Sequence, residues 1–159
     1  MKLTKLLKNI PVKAVYGSKN IDITGICNHS KRVGPGNLFI AKRGSVSDGN
    51  LFLPEVIGGG AVAVVTDLFD PSLKTVTQII VEDVAAVEAP LVACYYGFPS
   101  ETLYMVGVTG TKGKGSTATM LASMLAACGH RVGLYTSPHL SDIRERIRIN
   151  GEMISQADL

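Results

Sequence analysis

The stretch Val106-Gly-Val-Thr-Gly110-Thr-Lys-Gly-Lys-Gly-Ser-Thr117 decides how this chain reads: a glycine-rich loop between an apolar run and an alanine-rich segment. Tyr104–Val108 is short, β-branched and apolar, the pattern of a buried β-strand. Gly110, Gly113 and Gly115 then open a turn in which the backbone can take positive φ and approach a ligand closely. From about Ser116 the composition turns helical. Strand, loop and helix N-terminus together make an anion cradle. Loop amides point inward, the helix dipole adds partial positive charge, and Lys114 supplies a full one. The anion that suits such a cradle is a nucleotide polyphosphate with Mg²⁺. A plain connecting turn is the alternative, and the embedded lysine argues against it. The strict G-x-x-x-x-G-K-[ST] pattern fails in two places: Val108 stands where its first Gly belongs, and Gly115 separates Lys114 from Ser116.

Composition bounds the rest. The chain has 159 residues, 46% of them hydrophobic, with 17 Gly and 18% charged, which describes a globular α/β chain with a real core. A net charge of +3 is too small and too dispersed to argue for nucleic acid, and phosphate ligands explain it as well. Cys27, Cys94 and Cys128 are far apart and lack C-x-x-C spacing, which fits buried thiols in a reducing compartment. The segment Met1–Ile10 reads as an amphipathic helix, its lysines too frequent for a signal peptide. No apolar run approaches the roughly 18 residues needed to span a bilayer. The expectation is a cytoplasmic chain with no membrane partner.

The chain divides near Pro99. The expected domains are 1–98 and 99–159. Before the division come short strands at Ile21–Ile26, Leu38–Ala41, Ala61–Val65 and Gln78–Val81, separated by Gly- and Pro-rich turns. Phe52–Ile57 and Val84–Tyr96 read as helices, and Gly97-Phe-Pro-Ser100 as a hinge. After it, strand 104–108, loop, helix 116–127 and strand 131–135 make a βαβ unit of a parallel sheet. Cys128-Gly129 supplies the helix cap. Thr136 and Ser137 follow the second strand, at the edge where open α/β sheets bind ligands. Their hydroxyls either reach a nucleotide's Mg²⁺ or merely form a turn with Pro138. Ile143–Ile149 alternates with Arg144, Arg146 and Arg148, a strand with one basic face that is either solvated or in contact with ligand. Asn150-Gly151 is a hairpin signal, and Ser155–Asp158 resembles a helix N-cap and first turn.

The loop Gly110-Thr-Lys-Gly-Lys-Gly-Ser116 resembles the ATP loop of the Mur ligase and folylpolyglutamate synthase superfamily, commonly Gly-Thr-Asn-Gly-Lys followed by Thr or Gly-Ser. That family departs from the strict pattern in the same way. The first half resembles the uridine-nucleotide domain of the UDP-N-acetylmuramoyl-tripeptide synthetases. Their signature stands here as His29-Ser30-Lys31, Pro35-Gly-Asn-Leu-Phe39-Ile-Ala41, Gly44 and Asp48-Gly49, followed by the strand Gly59–Val65. His29 replaces the family's Asp, and Lys112 its usual loop Asn. Lys114-Gly-Ser116, Gly133–Leu140 and Glu145-Arg-Ile147 are closer to the folyl branch. The resemblance covers nearly the whole chain.

The implied fold is α/β, with a small mixed α/β uridine-nucleotide domain followed by the start of a P-loop parallel-sheet ATPase domain. The implied activity is ATP-dependent amide formation through an acyl phosphate, joining an amino acid to a UDP-N-acetylmuramoyl-peptide. By resemblance, Ser30 would hold the uridine nucleotide, with Asn28 beside it and Ser45, Val46 and Ser47 closing over it. Gly110, Thr111, Lys112, Gly113, Lys114, Gly115 and Ser116 would wrap the ATP phosphates, with Lys114 as the catalytic cation. Ser116 and Ser137 would help hold Mg²⁺. The metal-binding glutamate and histidine, the carbamylated lysine and the amino-acid-binding domain are expected beyond Leu159, so the chain reads as an N-terminal piece that is inactive alone. A folylpolyglutamate synthase-like ligase and a non-catalytic nucleotide-binding protein are the alternatives. The amino acid added and the oligomeric state stay open.

Overall fold

Short β-branched and apolar runs build a five-stranded sheet in the computed structural model, which describes residues 1–44 and 48–159. A four-residue helix, Leu3–Leu6 (α1), comes first. The strands are Val12–Tyr16 (β1), Gly25–Cys27 (β2), Asn37–Ile40 (β3), Ala63–Thr66 (β4) and Thr77–Val81 (β5). Between them lies helix Leu53–Gly58 (α2), and after them Val84–Tyr95 (α3). The sheet order is β1-β5-β4-β3-β2. All pairs are parallel except β1 with β5.

Every residue of β4 and β5 is buried, as parallel strands covered on both faces should be. Alternation along the strands divides the core in two. Leu38, Ile40, Ala63 and Val65 face one side, where Leu3 and Leu6 of α1 and Val84, Val87 and Leu91 of α3 pack on them. Phe39, Ala41 and Val64 face the other, against Leu53 and Val56 of α2. The spacing of Val84, Val87 and Leu91 places them on one helical stripe, and the Asp83 carboxylate caps α3 by accepting from the amides of Ala85 (2.8 Å) and Ala86 (3.1 Å).

Two compact units divide the chain, Met1–Tyr104 and Met105–Leu159. The first ends with helix Pro99–Thr102 (α4), entered through left-handed backbone at Gly97 and Phe98. The second contains helix Lys114–Ala127 (α5) and strands Gly133–Tyr135 (β6), Ile147–Ile149 (β7) and Glu152–Met153 (β8), in the order β6-β7-β8 with antiparallel pairing. Among the described residues, every fully buried one belongs to the first unit.

Several expectations change. Tyr104–Val108 is not a buried strand: it joins no ladder among the described residues, and Tyr104 is 100% exposed and Met105 71%. An apolar run becomes a strand only where a neighbour takes its hydrogen bonds, and β6 gives its ladder to β7, antiparallel, instead of to this run. The helix expected over Met1–Ile10 shortens to α1. Ile21–Ile26 yields strand only at its end, because the carbonyl of Ile21 accepts from the amide of Leu3 (2.9 Å) and the amide of Ile23 donates to Met1 (2.7 Å). Strand β1 was absent from the sequence reading. Ile143–Arg146 is a 3₁₀ turn and not part of a basic-faced strand; the alternation survives only in β7. The hairpin at Asn150-Gly151 forms, with φ of 49° and 89°, the paired positive values of a type I′ turn.

Candidate functional site

The glycine loop of the second unit curls around its own lysine. Gly110 and Gly113 take φ of 147° and 75°, conformations that favour glycine. Gly113 is the N-cap of α5, and the amide of Thr117 donates to its carbonyl at 3.0 Å. The helix therefore begins at Lys114, two residues before its expected start. The amides of Lys114, Gly115 and Ser116 fall in its first turn, where a helix has no internal acceptors, and no side chain caps them. The Lys114 ammonium folds back and donates to the Gly110 carbonyl. Thr111, Lys112 and Ser116 are exposed on the same loop. Backbone donors and a cation thus converge at a helix N-terminus, which is the physical requirement for holding phosphate.

Ser137 lies two residues past β6, and β6 packs on α5. The amide of Thr136 donates to the Arg146 carbonyl at 2.9 Å, and Arg146 Nε donates to His139 Nδ1 at 2.8 Å. Ser137 is exposed beside this anchored turn. Among the described residues no group of three or more His, Cys, Asp or Glu side chains gathers at a metal-binding distance.

Glu145 organises that turn, and the sequence reading gave it no role. Its carboxylate accepts from the amides of Leu140 (2.9 Å), Ser141 (3.1 Å) and Asp142 (3.0 Å) and from the Ser141 hydroxyl (2.8 Å). Asp142 in turn accepts from the amide of Arg144 at 2.9 Å and pairs with its guanidinium. This is a capping box, and Asp142-x-x-Glu145 was its sequence signal. Hydrogen bonds from Leu140 and Ser141 lower the Glu145 carboxyl from 4.5 to about 2, and Arg144 lowers that of Asp142 from 3.8 to about 2. Both values lie below those of the unfolded chain, so the stabilisation is present above about pH 4.5 and is lost as pH falls toward 2. Glu145→Gln should flatten that acid limb. In an NMR titration the Leu140 and Ser141 amide shifts should move with a midpoint near 2 in the wild type and move much less in the variant, where Asp142 alone still titrates there.

In the first unit, Ser30 opens a 3₁₀ turn, Ser30–Arg32, whose cap is His29: the ring Nδ1 accepts from the amide of Lys31 at 3.3 Å. The histidine thus does locally what a capping aspartate would do. Asn28, exposed on the same loop, donates through Nδ2 to Glu88 at 2.8 Å, and Lys42 pairs with the other oxygen of Glu88 at 2.8 Å. Lys42 holds the Glu88 carboxyl below its usual range, and Glu88 raises the Lys42 ammonium. Nearby, Arg43 pairs with Asp48 (3.1 Å) and Asp67 (3.5 Å), Asn50 donates to Asp67 (3.1 Å), and the Thr66 hydroxyl donates to Asn50 (2.7 Å). Ser45, Val46 and Ser47 lie outside the described residues.

An open cleft of about 320 Å³ lies past the carboxyl ends of β3, β4 and β5, lined by Lys42, Arg43, Asp67, Glu82, Asp83, Val84 and Ala85. Parallel sheets bind ligands at this edge. Asn28 and Ser30 are not on its wall; Glu88 links Asn28 to Lys42, which is. Sequence reasoning missed Lys42, Asp67 and Glu88, because only the fold brings the ends of separate strands together.

No protein-family model matches the chain. A curated relative from Chlamydia trachomatis serovar D, UDP-N-acetylmuramoyl-L-alanyl-D-glutamate–2,6-diaminopimelate ligase, is 39% identical over 135 residues, which is 84% of this chain and 28% of that protein. Over that span the chain is similar to Mur ligases. It spans little more than a quarter of the length of the curated relatives it matches (28%). Among solved structures, MurF from Acinetobacter baumannii aligns with a TM-score of 0.67 at 21% identity, covering 87% of this chain and 29% of that one, which shows the shared fold. MurF ligase from Thermotoga maritima in complex with ADP aligns with a TM-score of 0.53 at 25% identity, covering 74% and 26%. The α/β class with a parallel-dominated sheet is that of these Mur ligase structures. No helix among the described residues is long and apolar enough to cross a membrane.

Proposed function

We propose that this chain supplies the UDP-substrate domain, 1–98, and the beginning of the ATP-binding domain, 99–159, of a cytoplasmic ligase. That ligase adds an amino acid to a UDP-N-acetylmuramoyl-peptide in peptidoglycan synthesis. The observation that carries this reading is a 39% identical diaminopimelate ligase aligned over 84% of the chain. The cradle at Gly110–Ser116 suits ATP phosphates: first-turn amides of α5 point to one end, and Lys114 adds the charge.

Gly110 through Ser116 hold and orient the polyphosphate, and Lys114 offsets charge on its terminal oxygens. Orientation and charge neutralisation are what phosphoryl transfer to a carboxylate asks of a protein. Ser116 and Ser137 offer hydroxyl oxygens, the donor type a hard cation takes, so they suit Mg²⁺, which would draw charge from the phosphates when bound. Asn28 and Ser30, with Ser45, Val46 and Ser47, take the uridine nucleotide. Calorimetry of the chain with UDP-N-acetylmuramoyl-dipeptide tests the assignment: no uridine-nucleotide binding at millimolar concentration removes it. Ser30→Ala should weaken binding of the UDP-linked substrate by about 0.5–1.5 kcal/mol, the net value of one neutral hydrogen bond, while leaving ATP affinity unchanged.

A further inference from the structure

Glu88 stands at the second turn of α3 with its carboxylate between two groups that leave the sheet on different strands. Asn28 follows β2 directly, and Lys42 lies two residues past β3. One Glu88 oxygen accepts from Asn28 Nδ2 and the other from Lys42 Nζ, both at 2.8 Å. The Glu88 side chain keeps 19% of its exposure against 46% for Lys42, so the carboxylate is the inner member of the pair. An ionised carboxylate only accepts hydrogen bonds. Asn28 must therefore turn its NH₂ toward Glu88 and its carbonyl oxygen away. The flipped amide would set one oxygen against another. Among the described residues nothing donates to that outward oxygen.

We propose that Glu88 is a positioning residue for base choice: by fixing Asn28 with its carbonyl oxygen outward, it makes the site favour a base with a ring N–H, uracil, over cytosine. This rests on the reading of the first unit as a uridine-nucleotide domain. Uracil and cytosine have nearly the same shape, but uracil carries N–H at ring position 3, where cytosine carries a lone pair. The Asn28 oxygen attracts the first and repels the second. Glu88 touches no ligand in this scheme and acts only through Asn28, while Lys42 keeps the carboxylate ionised and in place.

The test is calorimetry of the full chain with UDP and with CDP. The wild type should prefer UDP by about tenfold, the worth of one hydrogen bond. Glu88→Gln keeps the shape, but Lys42, which only donates, takes the new amide's oxygen and leaves its NH₂ toward Asn28. Asn28 then turns its own oxygen inward, and the preference should fall to about threefold or less. Asn28→Ala should lose it as well. A merely structural role for Glu88 would weaken both nucleotides together and leave their ratio intact. A Glu88→Gln protein that retains the full preference overturns the proposal while leaving the uridine site standing. A wild type that binds neither nucleotide overturns the uridine reading and this proposal with it. Should Glu88→Gln fail to fold by circular dichroism, Asn28→Ala, at an exposed position, decides: a preserved preference there overturns the proposal.

Discussion

Phe39→Ala is expected to destabilise the first unit by about 3–5 kcal/mol, the range for removing a buried aromatic ring. Phe39 is 1% exposed in the middle of β3, a strand paired on both sides, with β2 and β4. Its ring packs with Leu53 and Val56 of α2 and with Ala61, Val64 and Val76. Val64 is held in β4, Leu53 and Val56 in α2, and Ala61 and Val76 lie close before β4 and β5, so these neighbours cannot collapse far into the space left. Set against a typical total of about 5–15 kcal/mol, the loss removes a large share of the unit's stability. Urea denaturation followed by circular dichroism measures it, and a change below about 1 kcal/mol would contradict the packing described. Because Lys42 follows this strand, any nucleotide binding by the variant should disappear at the lower urea concentration at which it unfolds.

Lys114→Ala is expected to weaken ATP binding by about 1.5–3 kcal/mol, the value of a hydrogen bond to a charged group, or roughly 10- to 150-fold in affinity. The lysine already donates to the Gly110 carbonyl, so its position is set by the loop itself. A phosphate oxygen, carrying charge, outcompetes a neutral carbonyl for the ammonium. The variant leaves the first-turn amides of α5 intact, so residual binding should remain. Titration with ATP and with UDP separates the outcomes: ATP affinity falls and UDP affinity holds. Equal ATP affinity in both proteins would remove the phosphate-cradle reading.

The parts of the fold legible in the sequence are those governed by local chemistry. Asn150-Gly151 names its turn because few residue pairs tolerate positive φ twice in succession. Val84, Val87 and Leu91 announce the inner face of α3 by spacing alone, and Asp83 announces its start. The glycine loop was legible as a turn leading into a helix, yet that helix begins at Lys114, because Gly113 makes the turn before Gly115 can weaken the helix. What could not be read depends on partners distant in sequence. Strand β1 closes the sheet against β5, an antiparallel pairing that the lysine-interrupted Val12–Tyr16 does not advertise. Tyr104–Val108 has the composition of a strand and no ladder to join. Glu88 looks like a helix surface residue until the fold sets Asn28 and Lys42 beside it. Asp142-x-x-Glu145 is a readable capping box, masked by the alternating arginines around it, which have the pattern of a strand.

The confinement of full burial to the first unit implies two clocks for amide-proton exchange. Protons in β4 and β5 sit in a ladder whose side chains are all covered, so their release requires the whole sheet to open and should report the unit's global free energy. Those of α5 are held only by its own helical hydrogen bonds, with no fully buried side chain anywhere along it. They should escape through fraying and local opening, orders of magnitude faster. A phosphate seated at Gly110–Ser116 would bind the folded helix start alone and should therefore slow exchange in the first turns of α5 while leaving the sheet's rates untouched.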